Sequence, residues 1–341
     1  MNERTYMKTK SKKIDAARRE YADWCSAVGI DTIEKLNAVL ADGQAIRLIN
    51  LCEARQERKY AEIANQIFWH KKKTKIVMMS GPSSSGKTSS SLRIAQQCQV
   101  LGLNPKVIEL DNYFVDREHT PRDAKGEYDF EALEAMNVEL LNENLNDLLA
   151  GKEVIIPKFD FKNGKTIFDE SRRMKLEDND ILFMEGIHAL NPNLTPNVDR
   201  ERIYNIYISA LSALPGGTKE HGSTTDKRLL RRIVRDNRVR GISPEENILR
   251  WPSVRRGERR NIFPYEENAH VVFNSSTLYD LPLLKYYAEP LLYGVTEASP
   301  AHAKAQALLK FIEPVTALKP AEIAAIPPTS IMREFIGGQT L

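Results

Sequence analysis

The stretch 75–89 reads KIVMMSGPSSSGKTS, and it joins a short apolar run to a glycine-framed turn and a polar, helix-forming segment that continues to Gly102. Such a run suits a strand buried on both faces. GPSSSGKT at 81–88 fits in full the pattern of a phosphate-binding loop between strand and helix. Gly81 and Gly86 let the backbone curl so that successive N–H groups and the helix N-terminus converge on an anion. Gly81, Ser83, Ser84, Ser85, Gly86, Lys87, Thr88 and Ser89 are therefore expected to hold the phosphates of ATP. Lys87 would place a point charge between the β- and γ-phosphates, and the Thr88 hydroxyl would take one position on Mg²⁺.

Outward from this loop, apolar runs recur as KVIEL at 106–110, ILFME at 181–185, RIYNIYI at 202–208 and HVVFN at 270–274, with helical stretches between most of them. The alternation predicts an α/β fold of the P-loop nucleoside triphosphate hydrolase kind: a mostly parallel sheet, helices on both faces, and ligands at the carboxyl ends of the strands. EVIIPKFDF at 153–161, followed by Asn163 and Gly164, reads as an extra strand and turn above the sheet. Residues 14–69 follow a helical pattern broken near Gly29 and Gly43, and the sequence after Asn274 reads as helices cut by prolines.

The 341 residues are 42% hydrophobic and 28% charged, with mean hydropathy -0.43 and net charge +3. That composition argues against whole-chain disorder, and so small a charge gives no general case for nucleic acid. Cys25, Cys52 and Cys98 have no metal-ligand spacing and are expected to be reduced thiols. No apolar run approaches the roughly 18–20 residues needed to cross a bilayer, so a cytoplasmic protein without a membrane partner is expected. The polar start, with no first strand, fits a piece of a longer parent.

A phosphate loop indicates a nucleotide; acids at neighbouring strand ends indicate a reaction. Asp111 follows KVIEL, where its carboxylate could accept the proton of an attacking hydroxyl or could cap a turn. Glu185 ends ILFME, where it could serve Mg²⁺ or cap the sheet edge. In DKRLLRRIVRDNRVRG at 226–241, Arg228, Arg231, Arg232, Arg235 and Arg238 recur at helical spacing opposite Leu229, Leu230, Ile233 and Val234. A lid closing on phosphates is the favoured reading of this helix, ahead of a solvated face or a nucleic-acid surface. WPSVRRGERR at 251–260 is a second basic cluster whose role stays open.

The ordered set GPSSSGKT, LDNYF at 110–114, YDFE at 128–131, PKFDF at 157–161, FMEGIHAL at 183–190 and RRIVRD at 231–236 resembles the uridine kinase and phosphoribulokinase family of P-loop kinases. It is most similar to a bacterial uridine kinase-like branch that shares segments like WPSVRRGE at 251–258 and SIMREFIGG at 330–338. The resemblance implies Asp111 as catalytic base, Lys87 and Thr88 as phosphate and magnesium ligands, and Arg232 and Arg235 as lid residues on phosphate or substrate. Asp111, Lys87, Arg232 and Arg235 are thus the expected catalytic groups, with Thr88 and Glu185 expected at the metal. Tyr113, Glu131, Phe159, Phe161, Arg232 and Arg250 are expected on the substrate side. The nucleoside pocket departs from the family pattern. Glu131, Ala132 and Leu133 stand where an aspartate, histidine and proline are usual, and Phe159 and Gly164 where tyrosine and histidine read the pyrimidine. Ile242 replaces an arginine, and Arg250 aligns with a glutamine.

The expected protein is an ATP- and Mg²⁺-dependent kinase that phosphorylates a hydroxyl of a small molecule, a nucleoside such as uridine or cytidine first. A sugar phosphate or other anionic alcohol is the second reading, prompted by Glu131, Gly164 and Arg250. A nucleotide-gated RNA-binding or regulatory protein is the third, and a homo-oligomer is left open. The expected organisation is a helical leader at 1–70, a kinase domain at 71–275 with an arginine-rich lid at about 218–262, and a helical C-terminal extension at 276–341 packed on it.

Overall fold

The computed structural model describes residues 11–122, 126–211 and 224–341, so the lid expected from about 218 lies partly outside the described residues. In chain order, helices α1 (Lys12–Ala27), α2 (Ile33–Ala41) and α3 (Ala45–Trp69) precede strand β1 (Ile76–Ser80), helix α4 (Lys87–Val100) and strand β2 (Asn104–Glu109). Helix α5 (Val138–Leu149), the short strands β3 (Val154–Ile155), β4 (Lys158–Asp160), β5 (Lys165–Ile167) and β6 (Arg173–Met174), and strands β7 (Asp180–Glu185) and β8 (Ile203–Ser209) follow. Next come helices α6 (Thr224–Arg240) and α7 (Pro244–Asn261) and strand β9 (Val271–Asn274). Last are helices α8 (Asp280–Tyr293), α9 (His302–Ile312), α10 (Pro320–Ala324) and α11 (Arg333–Ile336).

The main sheet has the order β2-β7-β1-β8-β9, and every pairing in it is parallel. Its strands are the five apolar runs, with ends shifted by at most two residues. Alternate residues of each strand separate the core into two layers. Val77, Met79, Phe183, Ile206 and Ile208 pack with α3 and α4, whereas Ile76, Met78, Leu182, Met184 and Tyr207 pack with α5 and the start of α1. Helices thus cover both faces, as a buried parallel sheet requires.

The register sets Met79 beside Glu185, so the acid stands one residue short of the point where the chain leaves β1 for the phosphate loop. The order reverses direction around β1, which makes this end of the sheet the place for a ligand.

EVIIPKFDF is not one strand. Pro157 lacks an N–H for a continuous ladder, and the chain divides there into β3, paired with β6, and β4, paired with β5. A third apolar cluster lies off the sheet and joins α1, α2, α3, α6, α7, α8 and α9 to Ile331, Met332, Phe335 and Ile336. The arginine helix is therefore anchored through Leu229, Leu230, Ile233 and Val234 to chain from both ends.

Candidate active site

The first turn of α4 begins at Gly86, whose φ of +85° is left-handed and favours glycine. A Cβ there would overlap Ile331 Cδ1, with Ile331 Cγ1 only 2.7 Å away. A Cβ on Gly81 would overlap the carbonyl oxygen of Ile208. Gly81 excludes a side chain for want of space against backbone, whereas at Gly86 the left-handed backbone and the contact with the Ile331 side chain act together. Lys87 Nζ donates to the carbonyls of Gly81 (2.9 Å) and Pro82 (3.4 Å), which holds the ammonium over the loop. In any α-helix the first N–H groups lack intrahelical partners, so this end presents an anion seat.

A cleft of about 500 Å³ opens on that seat. Its walls carry Ser83 through Thr88, the acids Glu109, Asp111, Glu131, Glu185, Glu258 and Glu334, and the cations Lys87, Arg232, Arg235 and Arg240. Thr88 Oγ1 donates to Glu185 Oε1 at 2.6 Å, and Glu185 Oε2 is buried without a hydrogen-bond partner. Burial raises the Glu185 pKa against the pull of Lys87 and the Thr88 hydrogen bond. A buried carboxylate with a free oxygen beside a hydroxyl is a donor set that fits a hard, oxygen-seeking cation.

Asp111 sits in the single turn after β2, Leu110–Tyr113, rather than at the strand end. It keeps contact with solvent inside the cleft, while the protein around it raises its pKa; Lys87 opposes the rise and Glu109 adds to it. Glu131 is enclosed more tightly, and its pKa is raised by burial first and then by Glu258.

The arginine helix does not present one free cationic stripe. Arg228 and Arg231, 1% and 0% exposed, face inward and pair with Glu258 and Asp280. A buried guanidinium is tolerable only with such a partner. Arg232 reaches the loop through Nη1 to Ser83 Oγ at 2.9 Å. Asp236, fully buried, lies against Arg232 (3.3 Å), Arg235 (2.8 Å) and Arg240 (3.4 Å), and so orients the three arginines that line the cleft.

Several expected residues are brought together: Ser83 through Thr88, Asp111, Glu131, Glu185, Arg232 and Arg235 share the cleft. Two expectations are corrected. Tyr113 is core: its ring packs beneath the sheet and its hydroxyl accepts from Asn144 Nδ2 at 3.2 Å. Arg250 points to solvent, its side chain 59% exposed and 3.7 Å from Glu246, one turn earlier on α7. Phe159 and Phe161 stand off the cleft wall in a cluster with Phe114, at ring separations of 5.5 and 6.2 Å. Gly164 makes room there for Arg117, since a Cβ would come 2.7 Å from both its Cβ and its Nε.

Glu258, Asp236 and Glu334 were not among the residues expected at the site. Each lies in a quoted motif, yet each acts through a partner remote in sequence or through burial, which the motif alone does not reveal.

A strand, phosphate loop and helix, an acid at the end of the neighbouring strand and a cluster of inward arginines define a P-loop phosphotransferase. The model of the "Phosphoribulokinase / Uridine kinase family" matches residues 76–211. The uridine kinase of Macrococcus caseolyticus is 32% identical over 183 residues, which are 53% of this chain and 78% of that protein. The uridine kinase of Staphylococcus haemolyticus is 30% identical over 182 residues, 53% of this chain and 77% of its own. A solved structure of a possible uridine kinase from Bacillus stearothermophilus aligns with 62% of this chain and 100% of its own at 18% identity and a TM-score of 0.38. The chain belongs to the phosphoribulokinase and uridine kinase family, phosphotransferases whose acceptor is an alcohol.

No helix among the described residues is long and apolar enough to cross a membrane.

Proposed function

We propose that this protein transfers the γ-phosphoryl group of magnesium ATP to a hydroxyl of a nucleoside. The observation that carries the reading is the single cleft joining Lys87 and the Thr88–Glu185 pair to Asp111 and Glu131. Asp111 accepts the proton of the attacking hydroxyl as its oxygen bonds to the γ-phosphorus, and the bond to the β–γ bridging oxygen breaks to release ADP. Desolvation by the surrounding protein raises the pKa of Asp111, which brings this base nearer the working pH. Lys87, Arg232 and Arg235 balance the negative charge that spreads over the transferring group. Thr88 and Glu185 would hold Mg²⁺, which would supply positive charge against the bound phosphates.

The placement of Arg250 favours a neutral alcohol over an anionic one. Arg250, which had suggested an anionic acceptor, lies on the outer face of α7, away from the cleft that holds Asp111 and Glu131. Glu131 is suited to hold paired sugar hydroxyls, as a carboxylate accepts two hydrogen bonds. The pairing of Arg228 and Arg231 with internal acids also weakens the reading of α6 as an RNA surface.

An ATP-coupled panel of nucleosides, sugars and sugar phosphates tests the assignment. Phosphorylation of uridine, cytidine or another nucleoside well above every sugar phosphate is the expected result. Preference for a phosphorylated acceptor, or salt-sensitive RNA binding without turnover, would replace it.

A further inference from the structure

The C-terminal segment packs directly on the phosphate-loop helix. Ser89 Oγ donates to Glu334 Oε2 at 2.6 Å, and Gln339 Nε2 donates to the same hydroxyl at 2.8 Å. Ile331 fills the space that a side chain on Gly86 would need. The segment is fixed from behind by Arg238 Nε, which donates to the Phe335 carbonyl at 3.4 Å, and by Ser330 Oγ, which donates to Glu53 Oε1 at 2.9 Å. Glu334 thereby lines the nucleotide cleft beside Thr88 and Glu185, whose own Oε2 is buried and unpartnered.

A carboxylate next to the seat of a polyanion is unfavourable unless a cation or a proton donor comes between them. Glu185 meets that condition on the Thr88 side, where oxygen ligands suit Mg²⁺. Glu334 contacts the helix at Ser89, one residue farther from Lys87. In a phosphate loop the lysine reaches the β- and γ-phosphates, while the backbone holds the α- and β-phosphates. The groups to be met beyond that end are the hydroxyls of the donor's sugar, which are proton donors.

We propose that Glu334 is a donor-nucleotide binding residue whose carboxylate, positioned by Ser89 and Gln339, accepts a hydrogen bond from a ribose hydroxyl of the bound nucleotide. This rests on reading the cleft as an ATP site, but not on the identity of the acceptor. The C-terminal segment is then a wall of the donor site, and it makes the enzyme selective for ribonucleotides. A charged acceptor left without its hydroxyl partner loses about tenfold or more in affinity.

Calorimetric titration of the full-length protein with MgADP, 2′-deoxy-ADP and 3′-deoxy-ADP tests this without any acceptor. The wild type is expected to bind at least one deoxy analogue about tenfold more weakly than ADP. Glu334→Gln should shrink that ratio and Glu334→Ala should abolish it, with thermal unfolding used to show that each variant is folded. Equal binding of the three nucleotides by the wild type, or the same discrimination in folded Glu334→Ala, would overturn the proposal and leave the ATP site standing. Failure of the wild type to bind ADP at all would overturn both.

Discussion

Glu258 Oε1 accepts the backbone N–H of Ser83 at 3.0 Å, so helix α7 grips the crown of a phosphate loop 175 residues earlier in the chain. The same carboxylate pairs with Arg228, whose Nη1 donates to the Ser83 carbonyl at 3.0 Å, and with Arg255 at 2.6 Å. The two guanidinium groups hold the Glu258 pKa down against its burial. Glu258→Gln leaves Arg228 buried without its counter-charge, and a loss of about 3–5 kcal/mol is expected on urea denaturation. A loss under about 1 kcal/mol, the scale of a surface pair, would show that the network does not brace the loop.

Asp111→Asn removes the proposed base but keeps its shape. Turnover is expected to fall about 10²- to 10⁴-fold, with MgATP affinity essentially kept, as measured by single-turnover kinetics and nucleotide titration. Because Asp111 must be ionised and its pKa is raised, wild-type kcat/KM should decline on the acid side at a pH above the usual aspartate value of 3.8. Full activity of the variant would remove Asp111 from the mechanism.

Gly86→Ala combines a left-handed backbone, unfavourable by about 1–2 kcal/mol for an L-residue, with a clash against Ile331. The change should displace the C-terminal segment and weaken ADP binding together. Proteolytic nicking near Ile331, read alongside ADP titration, reports both, and a variant with wild-type affinity and an uncut segment would contradict the packing described.

Glu266 gives a pH-dependent stability. Burial raises its carboxyl pKa from 4.5 to about 7, while the hydrogen bond donated by Tyr207 at 2.7 Å opposes the rise. A group whose folded pKa exceeds its unfolded one contributes stability that is complete below the unfolded value and lost as pH rises through the folded value. Between pH 4.5 and 7 this contribution is roughly 3 kcal/mol. Glu266→Gln, which keeps an acceptor for Tyr207, should flatten that part of the stability profile in denaturant titrations. An unchanged slope would refute the assignment.

Much of the fold was legible because each core strand is a short apolar run bounded by helical sequence, and burial on both faces leaves that mark whatever the neighbours are. Pro157 divided a segment read as one strand, since a missing N–H matters only once a ladder partner is known. Tyr113 and Arg250 went astray for a related reason. Motif alignment gives a residue's order along the chain, while its side-chain direction depends on the turn or helix that carries it. The arginine helix showed the same limit: spacing put Arg228 and Arg231 on a face, but not the acids that meet them 30 and 49 residues later.

The sequence by itself determined the anion seat at 81–88, because curling backbone amides around a phosphate imposes local demands that only glycine, lysine and a small hydroxyl residue satisfy at that spacing. Tertiary structure alone decided which charges meet: Asp236 with three cleft arginines, Glu258 with Ser83 and Arg228, Glu334 with Ser89. Electrostatic partnership depends on distance and burial in space, and the segments that supply these partners come together only when the sheet, α6, α7 and the C-terminal segment have packed.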